Sequence, residues 1–253
     1  MTQYSFVDTG PTGPVNSTTK ISEGFQFGDF SSITEGWYMV TVTKDTPAEK
    51  EILGSVPYQQ GVYDFSMLGD QRYFDNRQIS YDVIIPNQDY TSRKFLEQDI
   101  KRRLMKYGVS RLDDTHDADY YWLGKCKSVK VTDTAPTNKL TATIIFDCYP
   151  FAIKSAEEGN DIWDDFNFET DIAQIVKHSV NNSSKVIALY NIGSNAVPVD
   201  LKVTGNISIK FGSRTWALTQ SAKSLLTLPI GLNELTVTGT GTIEFVFHRE
   251  EML

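Results

Sequence analysis

Histidines, cysteines and clustered carboxylates are the side chains best suited to acid–base, nucleophilic or metal chemistry, and few of them here are usefully spaced. The three histidines, His116, His178 and His248, fall in unrelated segments. None belongs to a His-Glu-x-x-His pattern, and Cys126 and Cys148 do not complete a zinc set. The chain has no Gly-x-Ser-x-Gly elbow for a serine nucleophile and no glycine-rich loop for a phosphate. Ordinary surface or partly buried histidines are the simpler reading.

The run Asp113-Asp114-Thr115-His116-Asp117-Ala118-Asp119 comes nearest to a metal loop. Counted from Asp113 its twelfth position is Gly124, and from Asp114 it is Lys125, where a calcium loop needs a bidentate Glu. An acidic turn between a helix and the next strand fits better. Glu157/Glu158 and Asp164/Asp165 are adjacent pairs, whereas a glycosidase needs two carboxylates across one sugar. A solvated linker explains them. Cys126 and Cys148 lie in strand patterns without Cys-x-x-Cys spacing, which favours buried, unpaired thiols over a redox pair. No catalytic, cofactor-binding or metal-ligating residue is assigned, and no cofactor is expected.

The elements around these residues read as mainly β. Gly24–Phe30 and Trp37–Thr43 are strand patterns. The spacing predicts a hairpin over Val62–Ile85, with a turn at Gly69-Asp70 and Ile79, Tyr81, Val83 and Ile85 on one face. A helix is predicted over Ser92–Tyr107. Thr91 or Ser92 would cap it, Leu96, Ile100, Leu104 and Tyr107 form its apolar stripe, and Gly108 would end it. Lys101, Arg102, Arg103 and Lys106 crowd its last turns and read as a solvated face complementing the helix dipole, because no aromatic residues interleave them. Strands follow at Tyr120–Val131 and Leu140–Tyr149.

After Phe151 an acidic, polar link spans Lys154–Asp165, and short strand patterns follow: Val186–Asn191, Val197–Val203, Ser208–Phe211, Arg214–Leu218, Leu225–Leu228, Asn233–Thr238 and Thr242–Phe247. These predict a β-sandwich or jelly roll. The expected domains are 1–153 and 154–253. Of the aromatic residues in the second part, Trp163, Phe166, Phe168, Tyr190, Phe211, Trp216, Phe245 and Phe247, most fall on core-facing positions; Trp163 and Phe166 are expected to be exposed or to seal the domain junction.

The 253 residues carry a net charge of −8, spread evenly along the chain. Stable nucleic-acid binding needs Lys and Arg against phosphates, and that footprint is missing. No apolar run approaches the ~20 residues that span a bilayer, so no membrane insertion is expected. The opening Met1-Thr2-Gln3-Tyr4-Ser5-Phe6 has no signal character, which points to synthesis in a cytosol; the polar stretch to about Thr19 reads as an extended arm.

Four stretches together resemble the distal tail protein family of long-tailed, non-contractile bacteriophages that infect Gram-positive bacteria, especially the lactococcal phage type. They are Phe25-Gln26-Phe27-Gly28-Asp29-Phe30 with Gly36-Trp37-Tyr38-Met39-Val40; Gly69-Asp70-Gln71-Arg72-Tyr73-Phe74 before Ile79–Ile85; Phe95-Leu96 and Ile100-Lys101-Arg102-Arg103-Leu104 leading to Arg111-Leu112-Asp113-Asp114; and Tyr120-Tyr121-Trp122-Leu123-Gly124-Lys125 with Ile144-Ile145-Phe146-Asp147-Cys148-Tyr149-Pro150-Phe151. The resemblance implies an N-terminal β-sandwich with one α-helix and a projecting β-hairpin, and an outward-facing, galectin-like C-terminal β-sandwich.

It further implies a structural protein of the virion, made in the host cytoplasm, that forms a ring of six copies at the tail tip. The implied partners are further copies of itself, the tail tube protein, the tail-associated baseplate hub protein and a peripheral baseplate protein carrying receptor binders. DNA would pass through the channel during genome ejection without specific binding. The galectin sugar-contact patterns His-x-Asn-x-Arg and Trp-x-x-Glu-x-Arg are missing, so the fold alone licenses no sugar binding. Two other classes stay open: a carbohydrate-binding module for host cell-wall adhesion, and a wall hydrolase.

Overall fold

The computed structural model describes residues 21–67, 71–86, 89–134, 139–159 and 171–253. In chain order the strands of the first half are β1 (Phe25–Phe27), β2 (Phe30–Ser31), β3 (Tyr38–Lys44), β4 (Leu53–Gly54), β5 (Tyr63–Asp64) and β6 (Arg77–Ile85). Helix α1 (Tyr90–Met105) follows, then β7 (Ser110–Asp114), β8 (Tyr120–Thr134), β9 (Lys139–Cys148) and β10 (Ala152–Lys154). The second half holds β11 (Lys177–Asn191), β12 (Val197–Phe211), β13 (Arg214–Leu218), β14 (Ala222–Leu228), β15 (Gly231–Val246) and β16 (Glu250–Glu251). The fold is therefore mainly β with one α-helix among the described residues, as the sequence predicts.

The first sheet runs β2-β1-β7-β8-β9-β6-β3. Strict alternation builds its core: Ile79, Tyr81, Val83 and Ile85 of β6 face inward, beside Leu140, Ala142, Ile144 and Phe146 of β9. Phe25 stacks on Tyr81 at 4.6 Å between ring centroids and meets Phe146 edge-on at 5.7 Å. The Gly24–Phe30 pattern is not one strand. It is the β1–β2 hairpin, folded at Gly28-Asp29, with Gly28 at φ +60.

The projecting hairpin exists but lies elsewhere than Val62–Ile85. β6 is an inner strand paired with both β3 and β9, while β5 pairs with β4. The alternation of Tyr63, Phe65 and Met67 marks an exposed arm, not a core-facing strand. The Gly69-Asp70 turn lies outside the described residues, as do the N-terminal arm to Thr19 and the 135–138 connection.

The helix is capped two to three residues earlier than expected. Asp89 is the N-cap, and its Oδ1 accepts from the Ser92 amide at 2.6 Å. The helix ends at Met105 with Lys106 as the C-cap, so Gly108 lies beyond it and does not take the left-handed conformation. Ile100 and Leu104 are buried against the sheet, with Leu96 and Tyr107 packed at the edge. Its late cations are all paired: Lys101 with Glu97, Arg102 with Asp99, Arg103 with Glu35, and Lys106 with Asp29.

The second sheet runs β11-β15-β12-β13, with β14 also on β12. Four of the predicted short strands are fused into two long ones. Val197–Val203 and Ser208–Phe211 are parts of β12, and Asn233–Thr238 and Thr242–Phe247 fall largely within β15. Glycines lie between the short patterns and permit close backbone contact between the two strands. Gly205 pairs with Gly241 at φ +90 and +148, and a Cβ on Gly241 would lie 2.0 Å from the Thr204 carbonyl oxygen. Residues on both sides of these glycines, such as Val203 and Ile209, share one core cluster.

Candidate assembly surface

The residues with reactive side chains are scattered. His116 is exposed beside Asp114, and His178 is buried with its Nε2 2.9 Å from the Ile175 carbonyl. His248 Nδ1 lies 2.9 Å from the Lys154 carbonyl. Among the described residues no group of three or more His, Cys, Asp or Glu is arranged to hold a metal ion. Cys126 and Cys148 are free, buried thiols; burial pushes their pKa values up to about 11 and about 12.

Asp113 and Asp114 are not in a solvated turn but on β7. The Asp114 carboxylate is wholly buried and takes the Lys44 ammonium at 2.8 Å and the Tyr81 hydroxyl at 2.7 Å, while Lys44 also reaches Asp117. Burial pushes the Asp114 carboxyl up, but the Lys44 and Tyr81 bonds outweigh it and hold the group below its usual 3.8. With a folded pKa under the unfolded one, its stabilising contribution is present above pH 3.8 and disappears as pH falls through the folded value. Asp114→Asn is expected to lose roughly 1–3 kcal/mol at pH 7 by leaving Lys44 less well paired, with the gap to the parent narrowing below that value. Urea midpoints of both proteins at pH 7 and pH 3 check this.

The carboxylates after Phe151 also depart from the solvated linker expected. Glu158 is buried with Arg249, whose Nε lies 3.7 Å away, and Asp171 binds both the Arg249 guanidinium, at 2.7 Å, and Lys154. Asp164 and Asp165 lie outside the described residues, as do Trp163, Phe166 and Phe168. Of the other aromatic residues in this half, Phe245 and Phe247 are core, Phe211 and Trp216 are packed against it, and Tyr190 is exposed. A flat sugar-stacking platform is not formed by these five.

Among the described residues a long, mostly irregular arm connects β3 and β6. Its base is tied by an isolated bridge between Glu49 and Phe74 and by the Lys50 amide donating to the Tyr73 carbonyl at 2.8 Å. Farther out the Phe65 amide donates to Ile52, and β4 pairs with β5. The apolar side chains on it face water: Ile52 is 58% exposed, Val62 60%, Met67 52%, and Tyr58 fully so. Tyr58 also holds φ +67 in the turn from Val56 to Gln59, following Pro57, a position that usually goes to glycine. From Ile52 to Tyr63 there is no charged residue. Monomeric proteins rarely expose contiguous apolar surface of this kind, whereas interface centres are depleted of charge.

No known family profile and no curated protein matches the chain. Solved structures do. The chain is similar to the SPP1 Dit (gp 19.1) protein, described as a paradigm of hub adsorption apparatus in Gram-positive infecting phages, at a TM-score of 0.64 and 11% identity over 90% of this chain and 98% of that one. Two structures of the phage P2 baseplate in its activated conformation, with Ca and with Sr, match over the same shares at TM-scores of 0.48 and 0.42 and identities of 7% and 9%. At 11% identity, the match over nearly the full length of both chains establishes one thing: this protein has the fold of SPP1 Dit.

Proposed function

We propose that the chain is a structural hub of a phage tail tip: a distal tail protein whose copies close into a six-membered ring between tail tube and baseplate. The exposed arm with its uncharged tip carries this reading, because among the described residues it presents a large apolar surface suited to a protein partner. The Dit fold supports it independently. Residues 1–153 and 154–253 act as the ring-forming and the outward-facing, galectin-like domain. The two separate core clusters support that division, and the last strand, β16, adds to the first sheet through β10.

Tail tube protein binds one face of the ring, the tail-associated hub protein the other, and a peripheral protein bearing receptor binders attaches outside. No enzymatic step is needed for any of this. Six subunits at −8 each surround a channel that repels phosphates, so the genome passes without adhering. Light scattering after size-exclusion chromatography, with negative-stain imaging, tests the reading. Rings of six copies are expected, and a lone globule at every concentration, with or without tail proteins, overturns it.

A further inference from the structure

The ring reading leaves open what surface receives the arm, and on that reading we propose a specific receptor: the groove beside α1 on the next copy of this chain. The groove holds about 640 Å³ and is floored by the buried Trp37 and Ile85, with Leu96 at its side and Phe95 standing 70% exposed as its wall. Volumes of roughly 300–1,000 Å³ accept a few large side chains. The charged groups on its rim are already satisfied: Asp99 holds Arg102 at 2.7 Å, and Glu35 holds Arg103 at 2.8 Å. An apolar occupant therefore desolvates no unpaired charge there.

Three observations select the arm of a second copy as that occupant. The first is area. Nine large apolar residues among the described ones from Ile52 to Tyr73 are exposed, and at about half of each side chain this comes to roughly 1,000 Å², matching the ~800 Å² per partner of a stable interface. The second is chemistry, since the uncharged tip from Ile52 to Tyr63 meets a groove whose floor and wall are the apolar Trp37, Ile85, Leu96 and Phe95 and whose rim charges are paired. The third is placement. The arm leaves the sheet after Lys44 and returns at Arg77, at one end of the β3–β6 pair, whereas Trp37 and Ile85 stand at the other end, about 20 Å away along seven residues of strand.

Plug and socket at opposite ends of one strand pair make unlike surfaces, so contacts run head to tail, and such contacts close into rings when the rotation between subunits permits. The left-handed backbone at Tyr58 fits the same assignment. It costs of order 1 kcal/mol or more in the monomer and presents a fully exposed aromatic ring on the arm, where the docked state can use it.

A mixing experiment tests this directly. Val56→Asp with Tyr58→Asp spoils the arm and leaves the groove intact; Phe95→Asp spoils the groove and leaves the arm. All three side chains are exposed, so unchanged melting temperatures confirm folding of both variants. Each alone is expected to be monomeric where the parent forms rings. Mixed in equal amounts they are expected to give a species of twice the monomer mass and nothing larger, because each pair retains one good contact. Rings formed by Phe95→Asp alone, or a mixture that stays monomeric while the parent assembles, overturn the arm-in-groove contact and leave the ring reading standing. A parent that never assembles overturns both.

Discussion

Replacing residues 52–63 with a short Gly-Ser link is expected to abolish assembly completely while leaving the melting temperature within a few degrees of the parent's. No residue of that tip belongs to either core cluster, and the first buried side chain beyond it is Ser66. Removing it therefore exposes no core. Surface changes away from caps, cores and buried charges usually stay within about 0.5 kcal/mol, and shortening a loop alters its closure entropy only slowly. The association energy, in contrast, depends on a few buried apolar anchors, each worth about 2 kcal/mol or more when truncated. Chromatography with light scattering reads the first effect and a thermal melt the second. A shortened chain that still forms rings overturns the arm's role.

The boundaries of the deletion matter. Residues 62–85, the hairpin that spacing alone predicts, include β6, whose Ile79, Tyr81, Val83 and Ile85 form the middle of the first core. Removing them unfolds the domain, and the resulting loss of rings says nothing about assembly.

That case shows where the sequence could be read and where it could not. Alternation predicted β6 and β9 because their apolar faces pack on one core, and the three–four spacing placed α1 to within two residues. The same alternation misled at Tyr63, Phe65 and Met67. Period two reports an extended chain with one apolar face but not whether a neighbouring strand or a second molecule covers that face. Strand breaks misled in the opposite sense. Gly205, Gly239 and Gly241 fall between the short strand patterns read from the sequence, yet they permit backbone contact inside continuous strands. The groove was not legible at all, since Trp37, Ile85 and Phe95 come together only when β3, β6 and α1 are packed.

The buried charges at the junction of the two halves escaped the sequence for a related reason, and they carry the other large effect. Arg249 is 1% exposed, and its guanidinium serves Asp171, Glu158 and the Tyr120 hydroxyl at once. Its own carbonyl accepts from the Lys154 amide at 3.0 Å, where β10 meets β16. Arg249→Met retains much of the packing volume but leaves buried carboxylates with one cation fewer, and removing one partner of a buried ion pair costs about 3–5 kcal/mol.

The loss is expected to depend on pH with a definite sign. Burial already raises the Glu158 pKa above 4.5, and Arg249 is the first group that opposes the rise. Without it the folded pKa climbs further above the unfolded one, so the folded state is penalised most where Glu158 must ionise. The variant therefore regains stability relative to the parent as pH falls from 7 toward 5. Arg249→Lys keeps the charge but not the fork and should fall between the two. Arg72→Met, which breaks the exposed pair with Glu49, is expected to cost little and serves as the control. Urea midpoints at pH 7 and pH 5 read the size and its trend, and hydrogen exchange at the Lys154 amide reports whether the β10–β16 join has opened. An Arg249→Met protein as stable as the Arg72→Met control at pH 7 would remove the junction cluster from any account of how the two halves hold together.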